Sequence, residues 1–150
     1  MRGIAAGIAR CMRGACVLTL PPSAAVEYLP IEASVGDTLI FNYVPRQHGV
    51  ALLPTRQAFE KCNKAVAKVL APPDAVAGAP TGPPFRYTIK QADLDAPGGV
   101  LFFGCPVANH CATGQKVEVI VRPMGAMAPA PAPGPAASMT RPLAAAPAAA

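Results

Sequence analysis

Short runs in which apolar and polar residues alternate recur through the middle of the chain, with the period of two that a half-buried strand shows. Asp37-Thr38-Leu39-Ile40-Phe41-Asn42-Tyr43-Val44 is one such run, opened by the turn signal Val35-Gly36-Asp37. Phe85-Arg86-Tyr87-Thr88-Ile89 is a second, and Val100-Leu101-Phe102-Phe103, entered through Pro97-Gly98-Gly99, is a third. Lys116-Val117-Glu118-Val119-Ile120-Val121 alternates for most of its length and closes the domain. A helix is predicted between Arg56 and Val69, where Phe59, Cys62, Val66 and Val69 recur at three- or four-residue spacing. The stretch from Ala71 to Pro84 holds five Pro and two Gly and is a loop. Short strands, frequent turn signals and one short helix predict an all-β antiparallel sandwich, with the folded domain placed at 17–122.

Composition changes this picture at the two ends. The chain has 150 residues, including 19 Pro and 13 Gly, and a formal net charge of +5. Its 52% hydrophobic content includes 31 Ala, so the larger apolar side chains supply one modest core. Residues 1–26 hold Arg2, Arg10 and Arg13 and no acid, and residues 122–150 hold Arg122 and Arg141 and no acid. Between them, eight basic residues balance eight acidic ones. A nucleic-acid-binding domain carries its positive charge on the folded body, so nucleic acid is not expected as a partner. Residues 1–16 read either as a leader or targeting segment or as the start of the first strand. Residues 123–150, with seven Pro and twelve Ala, predict a disordered linker or stalk. Apolar runs are broken by Pro or Arg well before a membrane-spanning length. A lipid anchor is the one route to a membrane, and the weakly apolar end RPLAAAPAAA gives it little support.

The chemistry gathers in one loop. The chain has two histidines, His48 and His110, and both lie in the β domain. Cys105, His110 and Gln115 are spaced five and five along the segment between the strand ending at Phe103 and the strand starting at Lys116. Such a loop can wrap a metal ion and offer a thiolate, an imidazole and an amide oxygen, with His48 as the second imidazole. One thiolate, two imidazoles and a weak axial donor make the ligand set of a blue-copper site. No Met lies between Met12 and Met124, so no thioether is available in the loop and Gln115 is the axial candidate; otherwise Gln115 caps the loop by hydrogen bonding. A zinc set of Cys105, Cys111, His48 and His110 is disfavoured, because neighbours in an extended segment point to opposite sides. No C-x-x-C pair is present. A Cys–His nucleophile pair would lack an oxyanion-hole motif, so no enzyme is expected.

These residues resemble the phytocyanins, the plant and algal branch of the cupredoxins. The resemblance runs from Val35-Gly36-Asp37-Thr38-Leu39-Ile40-Phe41-Asn42-Tyr43 to His48 and through Phe59-Glu60-Lys61-Cys62-Asn63. It ends in Phe102-Phe103-x-Cys105-x4-His110-Cys111-x2-Gly114-Gln115-Lys116-Val117. It implies a Greek-key cupredoxin sandwich and one type 1 copper ion held by His48, Cys105, His110 and Gln115. It further implies a Cys62–Cys111 disulfide and a function in single-electron transfer as a monomer. A redox partner protein or a small reductant would exchange the electron. The disulfide fits an oxidising compartment, so the secretory pathway, cell surface or extracellular space is expected, with an organelle lumen as the alternative. The Ala/Pro tail is similar to the arabinogalactan-like stalk that many members carry. Two other functions use the same residues or the same fold: a cell-surface structural or signalling module, and a copper-storage protein. Cys11 and Cys16 receive no assignment.

Overall fold

The computed structural model describes residues 5–6, 8–12, 14–19 and 26–125. Eleven strands follow one another as β1 (Ala5–Ala6), β2 (Ile8–Met12), β3 (Ala15–Thr19), β4 (Val26–Glu27), β5 (Ile31–Ser34), β6 (Thr38–Asn42), β7 (Val50–Leu53), β8 (Lys68–Ala71), β9 (Phe85–Thr88), β10 (Val100–Gly104) and β11 (Lys116–Arg122). Among the described residues one α-helix, α1 (Arg56–Glu60), lies between β7 and β8. Their strands form the two sheets of the sandwich, ordered β5-β11-β10-β7-β8 and β2-β3-β6-β9, and β1 and β4 make a separate parallel pair. The all-β sandwich expectation holds, and all four predicted strand runs are strands.

The sheets are mixed rather than purely antiparallel. β3 pairs parallel with β6, and β5 pairs parallel with β11. Both parallel pairs join strands far apart in connectivity, so alternation along the chain, which reports only on faces, carries no sign of them. In β11 the alternation is complete: Val117, Val119 and Val121 are buried and the residues between them are half-buried. Leu39 and Phe41 of β6 face them across the core. Phe103 sits between the layers, its ring 5.2 Å from that of Phe41 and 5.3 Å from that of Tyr87, the latter edge-on.

β10 is covered on both faces. Leu101 and Phe103 point into the main core, while Phe102 joins Leu53, Ala58 and Phe59 in a second cluster beneath α1. The Phe59 and Phe102 rings are 5.1 Å apart, and the Arg56 guanidinium lies over Phe102 while making two bonds to the Glu118 carboxylate at 2.8 and 3.1 Å. α1 starts where the Thr55 hydroxyl accepts from Ala58 N–H. It ends at Glu60, far short of the predicted Val69. Cys62 adopts a left-handed φ of 50°, a 3-10 turn follows at Lys64–Val66, and Val69 belongs to β8. Val66 and Val69 are about half exposed, so their spacing with Phe59 was coincidental and marks no buried helix face.

Within the segment 1–16, the described residues form β1, β2 and the first part of β3, with Cys11 opposite Cys16 in the β2/β3 ladder and bonded to it as a disulfide. Leu18 of β3 is fully buried in the core. Most of the Ala/Pro tail, residues 126–150, lies outside the described residues.

All three tyrosines titrate high. Burial raises Tyr28 from 10.0 to about 12, and burial, helped by the Asp93 carboxylate that accepts its hydroxyl, does the same for Tyr87. Burial, then the nearby Cys105 thiolate, raises Tyr43. The folded state therefore keeps these protons after the unfolded chain has released them. Stability is fully present below pH 10.0 and falls as pH rises toward about 12. Unfolding midpoints measured across this window should drop, and Tyr28→Phe should flatten the slope; a midpoint independent of pH there would contradict the assignment.

Candidate metal centre

The site forms at one end of the sheet because three adjacent strands bring their ends there in register. Gly104 pairs with Ala51 of β7 on one side and with Lys116 of β11 on the other. Cys105 is the residue just after β10, Gln115 the residue just before β11, and His48 lies two residues before β7. Antiparallel pairing of the three strands thus places residues distant in sequence at one edge.

The loop between β10 and β11 is closed by its own backbone. Cys105 N–H donates to Gln115 O at 2.9 Å, and Gln115 N–H donates to His110 O at 3.0 Å. His110 N–H donates to Val107 O, and Thr113 N–H to Asn109 O, both at 3.1 Å. These bonds fix Cys105, His110 and Gln115 relative to one another. The Cys62–Cys111 disulfide, with a Cα–Cα distance of 5.8 Å, ties the loop to the segment after α1.

Within this frame three donor atoms meet. Cys105 Sγ is 3.9 Å from His48 Nδ1 and 3.6 Å from His110 Nδ1, and the three ligand atoms lie within 4.8 Å of one another. The imidazole rings are 5.0 Å apart and tilted by 54°. His48, Cys105 and Gln115 are buried, and His110 is partly exposed. Cys105 is the free cysteine among the described residues. Burial pushes its thiol pKa up, and backbone N–H groups of Gly49 and Val107, with the charge of Lys64, pull it back. Amide donors directed at sulfur favour the thiolate that a metal binds.

Sequence reasoning named His48, Cys105, His110 and Gln115, and the fold brings all four to one end of the sheet. It missed the residues that let the loop close. A Cβ on Gly49 would stand 2.6 Å from Ala71 O and 3.2 Å from Pro106 Cγ, so glycine there allows β8 and the ligand loop to approach. A Cβ on Gly104 would stand 3.1 Å from Leu53 Cδ1 and 3.4 Å from Cys111 Sγ, which puts the disulfide against the strand. The only sequence signal for these contacts is a glycine beside each of two ligand positions.

Residues 31–115 match the family described as the plastocyanin-like domain. The chain belongs to this family. Among relatives of this plastocyanin-like chain, the basic blue protein of Cucumis sativus is 32% identical over 85 residues, 56% of this chain and 70% of that protein. The cucumber peeling cupredoxin of Cucumis sativus is 32% identical over 87 residues, 58% of this chain and 53% of that protein. The chain thus spans about half the length of that relative. A solved structure of cucumber stellacyanin with Cu2+ at pH 7.0 aligns with a TM-score of 0.43 and 26% identity, over 62% of this chain and 70% of that one. The phytocyanin resemblance is borne out by the family and its relatives. His48, Cys105, His110 and Gln115 fit a stellacyanin-type site, and a soft thiolate with two imidazoles and an amide is a donor set consistent with one copper ion.

Replacing Cys62 and Cys111 together by Ser should lower unfolding free energy by about 2–5 kcal/mol in denaturant titrations. Equal stability of the doubly substituted and parent proteins would show that the bridge does not hold the loop.

Proposed function

We propose that the protein is a blue-copper electron carrier whose copper would be held by His48, Cys105, His110 and Gln115. The observation that carries this reading is the convergence of one thiolate and two imidazoles within 4.8 Å at the end of the core. Copper bound there would supply a centre that gains and loses one electron between Cu(II) and Cu(I). The side chains do the rest. Burial raises the Cys105 thiol pKa, so a bound cation would displace its proton, and the Gly49 and Val107 amides would support the resulting thiolate. His48 and Gln115 are shut away from solvent by the sandwich, which excludes water and competing ligands. His110 is the one of the four that reaches the surface, and it offers the edge at which a redox partner protein or a small reductant can approach. Carriage of electrons rather than substrate turnover suits a site in which protein donors occupy every position.

Two disulfides among the described residues support an oxidising compartment, such as the secretory pathway or cell surface. Among the described residues no helix is long and apolar enough to cross a membrane.

The purified protein loaded with copper should turn blue, bleach with a mild reductant and recover its colour in air. A colourless protein would favour a structural or signalling module, and a coloured one that never cycles would favour storage. For the axial assignment, Gln115→Met exchanges a hard oxygen donor for a soft thioether and should raise the reduction potential by about 60 mV or more, a tenfold change in equilibrium. An unchanged potential and spectrum would remove Gln115 from the ligand set.

A further inference from the structure

His110 is the ligand least protected by the core, yet its loop is held from outside at two points by one short segment. Cys62 is bonded to Cys111, the residue after His110. Lys64 Nζ donates to the carbonyl oxygen of Ala108, two residues before His110, at 2.5 Å. Residues 62–64 therefore bracket His110 from both sides. The anchoring segment is itself fixed: Asn63 Oδ1 accepts from Ala65 N–H at 3.2 Å and starts the 3-10 turn at Lys64–Val66.

We propose that Lys64 is a positioning residue of this centre: its ammonium group holds the Ala108 carbonyl and thereby the turn that presents His110. That His110 is a copper ligand rests on the blue-copper reading; the tethering of its turn does not.

Ala108 shows why a tether is needed. It has a φ of 38°, in the left-handed region that a residue bearing a Cβ rarely adopts. Left alone, the chain at Ala108 gains by relaxing away, which would move His110. A charge-assisted bond from Lys64 to its carbonyl opposes that relaxation.

Lys64→Met removes both the bond and the charge, and Lys64→Arg restores a donor and the charge. In the copper-free protein, amide hydrogen exchange at His110, Thr113 and Gln115, all donors within the loop, should speed up several-fold in Lys64→Met and return toward the parent rate in Lys64→Arg. Amides of β10 and β11 should keep the parent rate. Loop exchange equal to the parent's, or acceleration spread evenly through β10 and β11, would overturn the positioning role. Should the protein fail to take up copper, the exchange experiment still decides on Lys64, so failure of the copper reading and failure of this proposal are told apart.

Discussion

The structure turns on the hydrogen bond by which Cys105 N–H donates to Gln115 O, closing the ligand loop where β10 hands over to β11. The closure sets the distance between two candidate ligands before any ion is present, and Gln115 N–H to His110 O adds the third. Ladder pairing of Gly104 with Lys116 continues straight into it, so the loop inherits the rigidity of the sheet. A site built from strand ends is better fixed than one built from a free loop, because each side chain is placed by a ladder already formed.

Much of the remaining sequence serves to hold that closure in place. β10 is buried on both faces, with Phe103 wedged against Phe41 and Tyr87 on one side and Phe102 against Phe59 on the other. α1 is short because its work is local. It covers Phe102, receives the Arg56–Glu118 ion pair, and ends where Cys62 must turn toward Cys111. The Arg56 pair is exposed, and its weight lies in the fixed bidentate geometry over an aromatic ring more than in charge attraction. Gly49 and Gly104 let the neighbouring strands and the disulfide come close enough for the donors to converge. The cost of gathering two imidazoles and a thiolate is thus met by folding, and little rearrangement is left for metal binding.

How much of this was legible in the sequence differs by level. Strands β6, β9 and β11 were readable because Leu39, Phe41, Phe85, Val117, Val119 and Val121 alternate with more exposed residues, whereas β10, buried on both faces, was readable from its β-forming run entered through Pro97-Gly98-Gly99. β7 was missed because Val50-Ala51-Leu52-Leu53 is buried almost throughout and shows no alternation. The helix was overextended because Val66 and Val69 fell by chance on a helical spacing, while the left-handed turn at Cys62 leaves no mark in a residue type that seldom adopts it. The four candidate ligands were legible because the chain offers only two His and no Met near the loop. What could not be read were contacts made by the backbone: the amides of Gly49 and Val107 at the sulfur and the carbonyl of Ala108 at Lys64. Main-chain groups are the same in every residue, so only the fold reveals which of them are aimed at the site.

The central claim is that the chain holds one thiolate and two imidazoles ready for a single copper ion and keeps them there through the change of charge. X-ray absorption at the copper edge, on the loaded protein in both oxidation states, tests it most directly. The account predicts one short sulfur contact and two nitrogen contacts in the oxidised protein, the same set with small changes in length in the reduced protein, and loss of the sulfur contact in Cys105→Ser. Absence of a sulfur neighbour, or a change in the set of ligands on reduction, would contradict it.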